Sequence, residues 1–177
     1  MITKLYKYFF FVVLFIITYL FYIFPFEILN KYLLNESVNF QYSLINTAIF
    51  FTLIIYYLKS HNTFKPLKIF VYEGLGIGFI SFMVISFSIL VNLSGIFKET
   101  SIGITSLIII FIISAYGMIN ARNITIKNVE LTSAKIHNNL NIIFISDVHL
   151  GTNTTKHLKK ILNKIKTLKY DFIIIGG

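Results

Sequence analysis

The sequence predicts an α-helical membrane domain of four transmembrane helices, followed by the start of an α/β domain built on one strand-helix-strand unit. The chain of 177 residues is 56% hydrophobic, whereas soluble domains contain about 45 to 50% apolar residues. Four long stretches contain no charged side chain. After residue 121 this uniform apolarity gives way to short apolar segments separated by polar turns. These features together predict a membrane-embedded part and a smaller part outside the bilayer.

The four uncharged stretches lie at residues 8–26, 37–58, 74–97 and 100–121. Each is roughly 19 to 24 residues long, and a helix needs about 20 residues to cross a hydrocarbon core of about 30 Å. Because backbone amides in lipid must bond within their own segment, we predict four helices and a transmembrane domain over residues 1–121. Pro25 and Glu27 are expected to close the first span, residues 59–73 to separate the second from the third, and Lys98-Glu99 to turn the third into the fourth.

The distribution of basic residues predicts the orientation in the membrane. With the N-terminus inside, seven basic residues are cytoplasmic and two are external; the first group is Lys4, Lys7, Lys59, Lys65, Lys68, Arg122 and Lys127, and the second is Lys31 and Lys98. Lys and Arg favour the cytoplasmic side, so the N-terminus and everything after residue 121 are expected in the cytoplasm of a cell-membrane protein. The net charge of +9 is thus attributed to topology, the bilayer is an expected partner, and no nucleic acid is expected.

The predicted spans carry no ionisable side chain of the kind that a transport path needs. Their asparagines are expected to form interhelical hydrogen bonds or to lie at the interface; these are Asn46, Asn92 and Asn120. A glycine cluster with G-x-x-x-G spacing is expected to allow close helix packing and not to bind phosphate; it consists of Gly74, Gly76 and Gly78. Cysteine is absent, which excludes disulfides and thiolate metal sites.

The tail after Arg122 shows strand and helix patterns in turn. Residues 124–131 alternate in part and predict a strand with one solvated face, while the apolar runs at 140–146 and 172–175 predict strands buried on both faces, as parallel strands are. Between them a helix is predicted from a Thr154 cap, with an apolar stripe of Leu158, Ile161, Leu162, Ile165 and Leu168. The two buried strands are expected to be parallel with a right-handed crossover.

Six lysines avoid the apolar stripe of that helix: Lys156, Lys159, Lys160, Lys164, Lys166 and Lys169. Such a face is usually the side of the helix that is exposed to water. Attraction to the anionic inner leaflet is the alternative interpretation.

The most informative residues are Asp147 and His149, which follow the predicted strand at 140–146. Ligands bind outside the carboxyl ends of parallel strands, and residues two apart on extended backbone project to the same side. The carboxylate and the imidazole can therefore converge on one cation, a pair that suits Mn²⁺, Fe or Zn²⁺. An isolated D-x-H is more often a turn-capping Asp beside an ordinary loop histidine, so the spacing alone leaves both interpretations open.

The longer pattern is IIFISDVHLG at 142–151, an amphipathic helix, and YDFIIIGG at 170–177. It resembles the first motif of the calcineurin-like metallophosphoesterases, and the preceding spans resemble the architecture of membrane-anchored bacterial members. In that family a strand ends in D-x-H, a helix follows, and the next strand runs into a G-D segment whose Asp bridges two metals. The resemblance implies that Asp147 and His149 bind the first of two divalent metals and that the substrate is a phosphodiester or phosphomonoester at the inner membrane surface.

The family's other functional residues have no counterpart here: the bridging Asp, the G-N-H-[DE] segment and the later G-H-x-H. We therefore expect residues 122–177 to be the N-terminal part of a truncated domain, without a catalytic residue and inactive alone. His137 and Asp171 precede their strands and are expected at the opposite end of the sheet; His157 and His61 are expected on the surface. Such a short tail buries little core and leaves strand edges unpaired, so we expect it to be marginally stable.

Two other functions remain as alternatives. The chain could be a non-catalytic multi-pass membrane protein whose tail is a small cytoplasmic interaction module. A nucleotide-binding α/β domain is disfavoured, because the turn after the strand contains one glycine, Gly151, and not G-x-G-x-x-G. The sequence indicates neither the particular substrate nor the oligomeric state.

Overall fold

A computed structural model describes residues 2–60, 64–121, 123–133, 135, 138–146 and 155–176. The chain forms two compact units, Met1–Gly117 and Met118–Gly177, each described here by itself. The described part of the chain is mostly helical and contains four helices long and apolar enough to cross a membrane: Tyr6–Leu34, Phe40–Lys59, Lys65–Leu93 and Glu99–Asn120. The predicted number of such helices is confirmed.

The first membrane-length helix consists of three segments: α1 (Ile2–Thr18), a π-helical segment (Tyr19–Ile23) and α2 (Phe24–Leu34). Pro25 and Glu27, which the sequence predicts to close the first span, lie within this helix. Pro25 lies in the first turn of α2, directly after the wider π-helical segment, where a missing backbone N–H does little harm. The helix ends instead at Asn35, whose left-handed φ of 57° and N–H bond to the Lys31 carbonyl (3.0 Å) close the last turn.

The remaining helices are α3 (Phe40–Lys59), α4 (Lys65–Leu93) and α5 (Glu99–Asn120). The Asn39 side chain caps α3 by accepting a hydrogen bond of 2.9 Å from the Gln41 N–H. Helix α4 begins well before the predicted span at residue 74, so the predicted break over 59–73 is too long. The reason is that the charged residues at its start are compatible with helix; charge marks the expected edge of the hydrocarbon and not the end of the helix. The turn at Lys98 is confirmed, with Glu99 opening α5.

Helix α4 packs closely against the π-helical segment through its glycines. A Cβ atom on Gly78 would lie 2.7 Å from the Phe21 carbonyl oxygen, and one on Gly74 would lie 2.8 Å from the Tyr22 ring. The Tyr22 hydroxyl group reaches the backbone of α4 and donates to the carbonyl oxygens of Phe70 (3.2 Å) and Val71 (3.3 Å). The predicted use of the G-x-x-x-G spacing for helix packing is confirmed.

The interior of the first unit combines a small apolar cluster with buried hydroxyl groups. Ile54, Leu67 and Val71 form the cluster. The hydroxyls of Thr18, Thr47 and Ser88 are buried and donate to carbonyl oxygens of their own helices; the acceptors are Leu14, Ser43 and Ile85. Small residues at helix contacts and large apolar side chains on the outside, such as Phe87 and Phe111, are typical of helices in lipid.

The asparagines of the spans differ in their surroundings. The Asn92 amide donates to Glu99 Oε1 at 3.1 Å and so connects the end of α4 to the start of α5. Asn46 and Asn120 are exposed.

The second unit contains a parallel strand-helix-strand arrangement. Its elements are β1 (Ile142–Ser146), α6 (Thr155–Ile165) and β2 (Phe172–Gly176). The strands pair in parallel from Ile142 opposite Phe172 to Ser146 opposite Gly176. The predicted parallel pairing is confirmed.

Two predictions for this unit are wrong. Residues 124–131 form no strand, because an alternating sequence becomes a strand only beside a partner, and within the described residues β1 pairs with β2 alone. The strands are also not buried on both faces: Ile142, Phe144 and Ile175 are 48%, 65% and 70% exposed. A two-stranded sheet with one helix cannot cover both of its faces.

Candidate metal centre

The parallel pairing brings the ends of both strands to one edge of the sheet. Ser146, the last residue of β1, lies opposite Gly176, the last residue of β2. Asp147 and His149 come next in the chain after Ser146 but lie outside the described residues. Their role as metal ligands therefore stays a prediction, made for the edge at which the two strands end.

Gly176 allows an aromatic ring to lie at this edge. A Cβ atom on Gly176 would lie 3.0 Å and 3.1 Å from two ring atoms of Phe144, which projects from the neighbouring strand. A side chain at position 176 would therefore push this ring away. The residue that ends β2 at the candidate site contributes backbone only.

The opposite end of the sheet is closed by Asp171. Its carboxylate accepts a hydrogen bond of 2.7 Å from the Asn141 N–H, and its own N–H donates to the Asn141 carbonyl oxygen at 2.9 Å. Five residues of β2 separate it from the carboxyl edge, which corresponds to about 16 Å. Asp171 therefore lies at the end of the sheet opposite Ser146 and Gly176, as predicted. His61 and His137 lie outside the described residues, as does the side chain of His157.

A cavity of about 670 Å³ lies between residues 124–130, strand β1 and helix α6. Its lining includes Ile143 of β1 and Ile165 of α6. The half-buried Lys164 crosses this region and donates through Nζ to the Ile124 carbonyl oxygen. The sequence does not indicate this cavity, because the partial alternation at residues 124–131 predicts a strand there. No sequence signal distinguishes Lys164 from the other lysines of α6.

Helix α6 and the turn after it separate most of their apolar and basic residues as predicted, but Leu162 of the predicted apolar stripe is exposed and Lys164 is half-buried. Ile165 is buried, while Leu158, Ile161 and Leu168 are half-buried; Leu162 is exposed. Lys159, Lys160, Lys166 and Lys169 are exposed.

The described residues contain no group of three or more His, Cys, Asp or Glu side chains close enough to hold a metal ion. The predicted ligands Asp147 and His149 would supply a carboxylate and an imidazole, which suit Mn²⁺, Fe or Zn²⁺. A dinuclear centre needs further ligands beyond this pair.

Comparison of the chain with protein-family models, with curated proteins and with solved structures finds no match. The resemblance to the calcineurin-like metallophosphoesterases rests on the sequence pattern at residues 142–177 alone.

Proposed function

We propose that this chain is the membrane-anchored N-terminal part of a metal-dependent phosphoesterase of the calcineurin-like type. The observation that supports the proposal is the pairing of Ser146 with Gly176 at the ends of two parallel strands. Asp147 follows the first of these strands and Gly177 the second. Residues that leave parallel strands at one edge are neighbours, and such edges are where α/β domains bind their ligands.

In this proposal Asp147 and His149 are ligands of the first of two divalent metals, Mn, Fe or Zn. The strand register ends with Ser146 opposite Gly176, so in this proposal a residue that follows Gly177 would leave the sheet at the same edge as the chain after Ser146. That is where the family resemblance requires the bridging Asp. When bound, two such metals neutralise phosphate charge and lower the pKa of a bound water. Asp147 and His149 would supply only part of the ligand set that the family's dinuclear site needs.

The membrane helices fit a phosphoesterase that acts at the inner membrane surface. We assign residues 1–121 to the anchor and 122–177 to the start of the catalytic domain, with the N-terminus and the catalytic domain in the cytoplasm. The excess of basic residues in the proposed cytoplasmic segments supports this orientation. The substrate would be a phosphodiester or phosphomonoester within reach of the bilayer.

The test begins with the coding sequence beyond Gly177. We expect Asp as the next residue, with G-N-H and G-H-x-H motifs further on. The 177-residue chain is expected to be inactive, since two ligands cannot hold a dinuclear centre. Hydrolysis of bis(p-nitrophenyl) phosphate by the purified 177-residue chain, abolished by Asp147→Asn, would contradict the proposed division of the site.

In the longer protein, Asp147→Asn and His149→Asn are each expected to lower Mn²⁺-dependent turnover by at least about a hundredfold, since even changes to groups behind the ligands cost 10- to 100-fold. Asp171→Asn is the matched control. Its amide oxygen can still accept from the Asn141 N–H at the opposite end of the sheet, so turnover should stay within about twofold. Full turnover after both Asp147 and His149 are replaced by alanine would remove the enzyme assignment.

The alternative is a non-catalytic membrane protein with a small interaction module. The exposed apolar strands support this alternative equally well, because Phe144 and Ile175 leave apolar surface exposed on opposite faces of the sheet, which either the rest of the domain or a partner would cover. If the coding sequence after Gly177 lacks metal-ligand motifs, this alternative is supported and the phosphoesterase proposal is not.

A further inference from the structure

Helix α6 and the turn after it expose four lysines: Lys159, Lys160, Lys166 and Lys169. We call these residues the lysine face. We propose that the lysine face docks on anionic lipid headgroups of the membrane that holds the four helices. The inference rests on the proposed cytoplasmic orientation of the tail and does not depend on the proposed hydrolysis.

The charge of this region is one-sided. Residues 155–176 contain six lysines and a single acidic residue, Asp171. The Asp171 carboxylate is occupied by the Asn141 N–H at the start of the sheet. No acidic residue occurs within α6 itself, so the lysine face has no counter-charge on its own helix.

The spacing of the lysines causes electrostatic repulsion within the helix, which a bound anion would reduce. Lys156, Lys160 and Lys164 follow one another at intervals of four residues, and like charges at this spacing repel each other and weaken a helix. Lys164 is used differently, since its Nζ donates to the Ile124 carbonyl oxygen. The exposed members of the lysine face have no comparable partner among the described residues, which leaves their ammonium groups available to an anion.

The membrane is the anionic surface within reach. Helix α5 ends at Asn120 and α6 begins at Thr155, so the connection spans at most about 120 Å even when fully extended. A tether of this kind keeps the effective concentration of its partner surface high, on the order of millimolar. Each lysine near an anionic leaflet favours contact by about fivefold. Four such residues on a tethered helix and the turn after it are sufficient for stable docking without a deep lipid pocket.

The test uses the absence of cysteine from the chain. Asn163 is exposed on α6, and Asn163→Cys provides a single site for a fluorescent label. The labelled full chain is placed in nanodiscs whose lipids include a headgroup-linked nitroxide, which quenches only at close range. Nanodiscs of phosphatidylcholine are compared with nanodiscs in which about one third of the lipid is phosphatidylserine.

We expect strong quenching in the anionic nanodiscs, weak quenching in the neutral ones, and loss of the difference at high salt. Adding Lys159→Gln and Lys160→Gln should lower the ratio of docked to undocked α6 by about 25-fold. The matched control is Lys127→Gln with Lys135→Gln, which removes the same charge from exposed positions elsewhere in the tail and should leave the ratio nearly unchanged.

Equal quenching in neutral and anionic nanodiscs overturns the inference. So does an equal loss in the two double variants, because net charge and not the lysine face would then be responsible. A label that responds to added duplex DNA in neutral nanodiscs but not to phosphatidylserine would identify a nucleic-acid surface instead and also overturns it. Far-UV circular dichroism of each variant verifies that the helix content is retained.

Discussion

At the scale of one residue, Gly78 shows how helix α4 packs against the π-helical segment of the first helix. A Cβ atom at this position would lie 2.7 Å from the Phe21 carbonyl oxygen, and backbone cannot move aside as a flexible side chain can. Gly78→Ala is therefore expected to destabilise the first unit by about 1 to 3 kcal/mol, the usual cost of overpacking. Thermal unfolding in detergent measures the change.

Gly76 provides the control for this prediction. A Cβ atom there would meet nothing within 4 Å in the described part of the chain, and alanine favours helix over glycine. Gly76→Ala should leave the unfolding temperature unchanged or raise it slightly. If the two variants unfold alike, Gly78 does not pack against Phe21 as described.

Tyr22 fixes the same helix contact through its hydroxyl group, which donates to two carbonyl oxygens of α4. Side-chain hydrogen bonds between membrane helices contribute about 0.6 kcal/mol on average. Tyr22→Phe should therefore lower the free energy of unfolding by roughly this amount, measured by denaturation in mixed detergent micelles. Tyr116→Phe, at an exposed position of α5, should have no effect; a larger loss there than at Tyr22 would contradict the assignment.

At the scale of the elements, the sequence predicted the existence of each helix better than its ends. Apolar stretches identified all four membrane-length helices, because length and hydropathy set the ability to cross a bilayer. The helix ends differ from the predicted ones because charged residues and Pro25 are compatible with helix. Lys65 begins α4, and Pro25 follows a π-helical segment that no pattern in the sequence indicates.

The tail shows the limit of pattern reasoning for strands. The strand-helix-strand unit and its parallel pairing were predictable from apolar runs and helical spacing. Strand formation at residues 124–131 was not, because it depends on a partner strand and not on the alternating sequence alone. Of the candidate site, the sequence predicted Asp147, His149 and the edge they follow, while the pairing of Ser146 with Gly176 needed the structure.

Strand β2 is exposed in the 177-residue chain, and the proposed longer protein would cover it. Ile175 is 70% exposed here, so Ile175→Lys should change the stability of the 177-residue chain by no more than about 0.5 kcal/mol. In the longer protein the rest of the proposed domain would cover β2, and the same change should cost at least about 2 kcal/mol because a charge would be buried. Chemical denaturation of both lengths compares the two. Equal small effects would argue against a covered sheet.

At the scale of the whole molecule, the proposed architecture is a four-helix membrane anchor followed by a cytoplasmic tail. A reporter fused after Asn139 should give a cytoplasmic signal, because the basic residues favour an N-terminus inside and four crossings return the chain to the same side. A fusion after Gly95, in the turn between α4 and α5, is the matched control and should give an external signal. The reverse pattern would contradict the proposed orientation and with it a catalytic domain in the cytoplasm.

In the proposed function, Asp147 and His149 hold a metal that hydrolysis requires. The most direct measurement is the metal content and phosphodiesterase turnover of the longer protein before chelation, after chelation and after Mn²⁺ is restored. The account predicts that chelation removes bound metal and turnover together, that Mn²⁺ restores both, and that Asp147→Asn with His149→Asn prevents the restoration. Turnover that persists in the metal-free protein, or metal binding unaffected by the two substitutions, would contradict it.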